Sequence, residues 1–221
     1  MSNKKKKSQN NKMGGLVSSA EVQLHSVETV KLWNPSKQSR APGVGLFFKR
    51  LSTLEHAARH DDPYADFALL EIERAINAAF VLCQSTLDAL PQRNSSRILY
   101  HETLSRAPVK KSVSIRSRFG WRLLALLEQF DIAMVQLSDA HFKAQLTRSE
   151  FEQHRLACLQ AMRGIISMSV TLRHSGVTRK DVADNNAKAQ AAQAKLGAIP
   201  FEVLEGVERA EFAPVIKVSH G

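Results

Sequence analysis

The sequence predicts a mainly α-helical protein with a small β component, in which a ribbon-helix-helix-like dimer core is embedded in additional helices. Three observations support this fold class. Strict alternation of two strand faces occurs in one place, residues 108–118. Apolar residues three or four apart recur along most of the chain. Thr147 and Glu150, soon after the alternating segment, have the spacing of a capping box at a helix start.

The first part of the chain predicts a tail, a strand and a short helix. Residues 1–20 are rich in Lys, Asn, Ser and Gly, so we expect a disordered basic tail. Residues 21–25 alternate and predict a short strand. Ser26 suits the N-cap of a brief helix that reaches Trp33.

Two longer helices are predicted next. Apolar residues between 46 and 58 predict a helix of about four turns. Asp62 suits the N-cap of the following helix, and Pro63 suits its first position because proline has no N–H to lose there. That helix has the clearest apolar stripe, over 69–90, and Pro91 is expected to stop it.

The alternating segment predicts a basic strand followed by helices. Val113 and Ile115 are expected to face the helices, and the opposite face would carry Lys110, Ser112, Ser114 and Arg116. Residues 123–137 predict the next helix, and the helix capped by Thr147 follows it. Thr178 is expected to cap one more helix, which ends before Gly197.

These elements predict one folded domain between two tails. The domain is expected over residues 21–197 as a helical DNA-binding domain that contains a strand-helix-helix unit at 110–172. Residues 198–221 are expected to form an extended C-terminal tail that packs on a partner.

The formal net charge of +10 is concentrated in two segments. Residues 1–12 contribute +5, and residues 93–122 contribute +7 from eight basic residues against Glu102 alone. The remaining segments, 13–92 and 123–221, sum to −2 and zero. Such clustering predicts a polyanion-binding surface, because a merely solubilising surface would distribute its charge evenly. An anionic membrane surface is the weaker alternative, since no basic amphipathic helix is evident.

The strand-helix-helix order predicts where that surface binds DNA. In this arrangement two subunits pair one strand each into a ribbon, which fits the major groove of double-stranded DNA. The start of the second helix suits a backbone phosphate, and the N-terminal lysines suit phosphate contacts without sequence choice. The predicted DNA-binding residues are Lys110, Lys111, Ser112, Ser114, Arg116, Arg118, Arg122, Thr147, Arg148 and Ser149. The predicted non-specific contacts are Lys4, Lys5, Lys6 and Lys7. An ordinary edge strand, blunted by lysines and packed on helices, is the alternative.

Other kinds of site have little support in the sequence. His56 and His60 lie four apart on a predicted helix, but no third ligand at a known offset accompanies them, so we expect no metal. The acidic residues within 61–66 suit helix capping better than a nuclease cluster. Cys83 and Cys158 suit small core positions. Since no phosphate loop or nucleophilic triad is evident either, we expect no enzyme activity, no cofactor and no small-molecule substrate.

Several blocks of the sequence resemble a known protein family. The blocks are Leu24-His25, Leu32-Trp33, Ala58-Arg59, Asp61-Asp62-Pro63-Tyr64-Ala65-Asp66, Leu69-Leu70, Ile72-Glu73, Gly176-Val177-Thr178-Arg179, Asp181-Val182, Asn186-Ala187 and Ala189-Gln190. Across roughly residues 22–214 they are similar to the AcaB family of conjugative plasmids and integrating conjugative elements, formerly described only as a domain of unknown function. The resemblance implies a ribbon-helix-helix-related fold and a DNA-binding activator of conjugative transfer genes. Because these blocks lie outside the basic strand, we expect them to build the scaffold.

Two functional hypotheses follow from the sequence. The first is a dimeric, sequence-specific DNA-binding regulator. The second is a non-enzymatic accessory or structural protein of the conjugation machinery that binds nucleic acid without sequence choice. For both we expect a cytoplasmic protein, associated with nucleoid or plasmid DNA and not with a membrane, since neither a secretory signal nor a run of about 18 apolar residues is evident.

Overall fold

The computed structural model describes residues 18–36, 38–39, 41–91 and 101–217. Over these residues the elements are β1 (Ser18–Leu24), α1 (Val27–Trp33), α2 (Val44–Arg59), α3 (Pro63–Asp88), β2 (Val109–Ile115), α4 (Arg118–Phe142), α5 (Arg148–Thr171), α6 (Arg179–Ala183), α7 (Ala187–Leu196) and α8 (Phe201–Leu204). The mainly helical class with a small β component is therefore confirmed. The predicted phosphate contacts Lys4, Lys5, Lys6 and Lys7 lie outside the described residues.

Four long helices form the hydrophobic core. α3 packs against α2, α4 and α5, which explains why its apolar stripe is the clearest in the sequence. The core includes the buried side chains of Phe47, Leu51, Leu69, Ile76, Phe119, Leu127, Phe130, Met134 and Met162. Full burial of each large apolar side chain contributes about 1.5–3 kcal/mol, so this cluster is the main source of stability.

Short polar signals in the sequence set the helix starts. Ser26 and Asp62 accept hydrogen bonds at the N-caps of α1 and α3, as predicted. Thr147 and Glu150 form both halves of the predicted capping box at α5. Ser117 caps α4, so that helix begins at Arg118, before its apolar stripe.

The region after Thr178 contains two helices where one was predicted. Asn185 has a positive φ of 44°, and this left-handed residue ends α6. The side chain of Asn186 then caps α7 by accepting from Ala189. Gly197 ends α7 with a φ of 86°, as predicted.

The C-terminal tail packs on its own chain, which corrects the prediction of an extended tail for a partner. The described part of this segment, residues 198–217, contains α8, whose Val203 is fully buried, and Ala210 also joins the core. Further on, the backbone N–H of Lys217 donates to the carbonyl of Arg59 at 2.9 Å. The folded unit therefore continues well past the boundary predicted at residue 197.

β1 and β2 pair as a two-stranded antiparallel ribbon within one chain. The register places Ser18 opposite Ile115 and Leu24 opposite Val109. The sequence predicted that a second subunit would supply the partner of β2, but β1 supplies it. β1 also begins at Ser18, so the last residues of the tail predicted over 1–20 belong to a strand.

Candidate nucleic-acid interface

The β2 half of the ribbon has one exposed face and one packed face. Lys110, Ser112 and Ser114 are exposed, whereas Ile115 is only 2% exposed. The side chains of Lys111 and Val113 are half-buried, on the same face as Ile115. The alternation in the sequence therefore predicted the strand faces correctly, including the place of Lys111 on the face of Val113 and Ile115.

β1 contributes the other half of the exposed face. Cross-strand partners project to the same side of a sheet, and here the partners of Ser114, Ser112 and Lys110 are Ser19, Glu21 and Gln23, all exposed. The outer face of the ribbon thus presents six polar side chains, one of them a carboxylate. Sequence reasoning missed the β1 residues, although the alternation over 21–25 was a usable signal.

One end of the ribbon is fixed to the start of α4. Ile115 lies so close to Gly120 that a Cβ at residue 120 would be 2.6 Å from Ile115 Cγ2. The hydroxyl of Ser117 donates to Glu55 Oε1 at 2.7 Å, and the N–H of Phe119 donates to the same oxygen at 3.3 Å. Burial is the largest influence on Glu55 and raises the pKa of its carboxyl. The strand, α2 and α4 therefore meet at this junction.

The other end of the ribbon is fixed by Asp131, in the middle of α4. Its carboxylate accepts from the N–H groups of His25 and Ser26 at 2.8 and 2.9 Å, and from the hydroxyl of Ser26 at 2.7 Å. The N–H of Ser105 donates to His25 Nδ1 at 3.1 Å and so holds the chain that leads into β2. Because the ribbon is held at both ends, its exposed face has a fixed orientation on the helical core.

Arg122, one of the predicted DNA-contact residues, makes contacts within the fold. Its guanidinium hydrogen-bonds Asn77 Oδ1, lies 3.9 Å from Glu73 Oε1 and covers the Phe212 ring at 4.7 Å from its centroid. The side chain is 22% exposed. Arg122 therefore holds α4 against α3 and the C-terminal segment.

The predicted phosphate site at the start of α5 already holds a carboxylate. Glu150 accepts from the N–H and the hydroxyl of Thr147 at 2.8 and 2.7 Å, and these hydrogen bonds lower the pKa of Glu150. Arg148 and Ser149 are exposed beside it. The structure does not place them next to Arg116, because the 25 residues of α4, about 37 Å of helix, separate that arginine from α5.

The most specific of the family-like blocks meet in a buried polar cluster at the start of α3. Asp66 is fully buried and accepts from Arg179 at 2.7 Å and from Arg209 at 2.8 and 2.9 Å. Asp62, besides capping α3, accepts from the N–H of Ser175 at 2.8 Å. These carboxylates hold the C-terminal region on α3, so the blocks belong to the scaffold, as expected. Asp66 lies in the first turn of α3, as a helix-dipole role predicts, and it is also an ion-pair partner of Arg179 and Arg209.

The structure also locates the histidines and cysteines that the sequence analysis considered. The rings of His56 and His60 lie 4.4 Å apart, and the described residues contain no cluster of three side chains suited to a metal. Cys83 and Cys158 are buried, as predicted. Among the described helices, none combines the length and apolar character needed to cross a membrane.

Comparison with known proteins identifies the family. The family model described as transcriptional regulator AcaB matches residues 12–217, nearly the whole chain. The chain belongs to the AcaB family of transcriptional regulators. Membership agrees with the expectation of a non-enzymatic protein.

A solved structure in the AcaB family shows the same fold. The selenomethionine-containing crystal structure of AcaB from uropathogenic E. coli is similar with a TM-score of 0.58 and 11% sequence identity, over 88% of this chain and 100% of that one. At this identity the similarity establishes the fold alone. No curated protein matches the chain in sequence.

Proposed function

We propose that this transcriptional regulator binds promoter DNA by placing the exposed face of its β1–β2 ribbon in the major groove. The observation that carries the proposal is that face itself, with six adjacent polar side chains on a strand pair held at both ends. A two-stranded ribbon fits the major groove, where outward side chains meet the base edges.

The mixed chemistry of the face favours sequence readout over simple charge attraction. Arg116 suits paired hydrogen bonds to guanine, Gln23 suits adenine, and Glu21 suits the amino group of cytosine. Lys110, Ser112 and Ser114 add further hydrogen-bonding groups to this readout. Lys111, half-buried on the opposite face, and Arg118, exposed beyond the end of β2, suit phosphates. A surface that only attracted phosphates would have no use for an exposed carboxylate at its centre.

The proposal includes a homodimer, though not for the reason that the sequence suggested. β2 has its partner within the chain, so the ribbon does not need a second subunit. A ribbon with three outward side chains on each strand reads only a few base pairs, and a two-fold pair on a palindromic site doubles that readout. Light scattering of the protein on its DNA site is expected to give two copies for each site.

In this proposal the protein acts in the cytoplasm, where it activates the genes of conjugative transfer. The basic N-terminal segment, with Lys4–Lys7, adds affinity without sequence choice, because single lysines contact phosphates as point charges. Deletion of residues 1–13 is therefore expected to weaken binding to all DNA alike and to make the salt dependence shallower.

Titration of the protein against two DNA fragments tests the proposal. One fragment carries the promoter region of the transfer genes, and the other is a scrambled fragment of equal length. If the protein reads sequence, its affinity for the promoter fragment should exceed its affinity for the scrambled fragment by roughly 10³ or more at physiological salt. Near equality would support the other hypothesis, a nucleic-acid-binding accessory protein of the conjugation machinery.

A further inference from the structure

A groove of about 290 Å³ lies between α2 and the β2 side of the ribbon. Its lining consists of Gly45, Phe48, Lys49, Ser52, Val113, Ser114 and Arg116. The four α2 residues follow a spacing of three, one and three, so they form a single stripe of that helix. The ribbon contributes residues of β2 and the residue after it, but none of β1. The groove therefore runs along one side of the proposed DNA-reading face.

The groove is cationic and contains no acid in its lining. Lys49 and Arg116 come from elements far apart in the sequence, and both are exposed. Within the described residues neither has a carboxylate partner, whereas Arg74, Arg155 and Arg179 each have one. The hydroxyls of Ser52 and Ser114 add neutral hydrogen-bonding groups to the same lining. On the α2 side of the groove, the unpaired cation of Lys49 and the hydroxyl of Ser52 suit phosphate oxygens.

The position of the groove fits the geometry of a ribbon in DNA. The major groove is about 12 Å wide, and two paired strands already span about 5 Å between their axes. Little room remains in the major groove on either side of the ribbon. One sugar–phosphate backbone of the DNA must therefore run close to each edge of the ribbon. On the β2 side, the first helix that such a backbone meets is α2, at Lys49.

We infer that Lys49 and the α2 groove bind the sugar–phosphate backbone of the DNA strand that passes β2. The inference rests on the proposed ribbon readout and extends it to a second element of the fold. The contact is independent of sequence, and it fixes the position of the ribbon across the major groove. Lys49 thus acts together with the base-reading face and not as part of it.

Lys49→Ala tests the energetic part of this inference. The variant is expected to lose about three- to tenfold in affinity on promoter and scrambled DNA alike, and its salt slope should fall by about one unit. Lys195→Ala is the matched control, because Lys195 is an exposed lysine near the end of α7, and the residue after that helix, Gly197, accepts a hydrogen bond from Tyr64 at the start of α3. Circular dichroism is expected to show native folding for both. A loss no larger for Lys49→Ala than for Lys195→Ala would overturn the inference.

A DNA-cleaving reagent attached to the protein tests where the DNA backbone lies relative to α2. A Cβ at Gly45 would meet no other atom within 4 Å, so Gly45→Cys fits, and an iron–EDTA reagent modifies only this new thiol because Cys83 and Cys158 are buried. Cleavage of the promoter backbone at the border of the protected site is expected, with none from Lys195→Cys. If the wild-type protein prefers promoter DNA over scrambled DNA but the reagent at Gly45→Cys cleaves neither strand, the inference is wrong. If wild type does not discriminate, the proposed function fails instead.

Discussion

Glu21 of β1 lies directly opposite Ser112 of β2, and both side chains are exposed on the outer face of the ribbon. This pairing places a negative charge in the middle of a surface that the sequence predicted to be basic. A carboxylate there weakens the attraction of any polyanion. A carboxylate also suits the amino group of cytosine as an acceptor, so the proposed sequence readout gives Glu21 a role.

Glu21→Gln is expected to increase affinity for scrambled DNA by about three- to tenfold, because one repulsive charge is removed. The preference for promoter DNA should fall, since the amide is a weaker acceptor for cytosine than the carboxylate. Filter binding on the two DNAs measures both effects. Glu202→Gln on α8 makes the same charge change away from the ribbon. It is expected to alter neither the affinity for scrambled DNA nor the preference for promoter DNA. An unchanged affinity for scrambled DNA in Glu21→Gln would place the outer face away from DNA.

Gly120→Ala is expected to destabilise the fold by about 1–3 kcal/mol, because its Cβ would lie 2.6 Å from Ile115 Cγ2. Ile115→Ala removes that methyl group but leaves a cavity at the packed face. The double variant should therefore be less destabilised than the sum of the two single variants, as measured by urea unfolding. Strict additivity would show that the ribbon does not pack on α4 at this point. Ile115→Asp should unfold the protein, since it buries an unpaired charge.

Glu55→Gln is expected to raise the melting temperature at neutral pH. Burial raises the pKa of Glu55 above its ordinary value of 4.5, so the folded state favours the protonated acid. That contribution to stability is fully present below 4.5 and is lost as the pH rises through the folded pKa. Glutamine mimics the protonated form and still accepts from Ser117 and Phe119. Calorimetry should show an advantage of the variant at pH 7 that disappears in acid, and an equal advantage at both pH values would refute this account.

Asp66→Asn is expected to destabilise the protein by about 3–5 kcal/mol, because the half-buried guanidinium groups of Arg179 and Arg209 lose the buried carboxylate that they share. Asp61→Asn is the matched control. Asp61 bonds Arg179 alone and its side chain is 28% exposed, so its loss should cost much less. Chemical unfolding of the two variants measures the difference, and similar costs would show that the cluster does not hold the C-terminal region.

Local signals predicted the helices of this fold well. The caps at Ser26 and Asp62 and the capping box at Thr147 act within a few residues, so the sequence alone reveals them. The alternation from Lys110 to Ile115 likewise defined the strand faces.

Long-range contacts account for what the sequence did not reveal. Strand pairing between β1 and β2 depends on the whole fold, and no local pattern reports which strand meets which. Arg122 has the same charge as Arg118, but the nearby Glu73, Asn77 and Phe212 decide its role. The groove beside Lys49 was missed for the same reason, since it joins two distant segments.

The central claim is that the ribbon reads sequence, and Arg116→Ala compared with Arg148→Ala tests it most directly. Binding isotherms on promoter and scrambled DNA, at two salt concentrations, give the specificity ratio and the salt slope for each variant. Arg116→Ala is expected to cost about 1–3 kcal/mol on the promoter and much less on scrambled DNA. Arg148→Ala, on a helix start that already holds Glu150, should at most weaken both DNAs equally and lower the salt slope by about one unit. Equal losses on both DNAs for Arg116→Ala would contradict sequence readout by the ribbon.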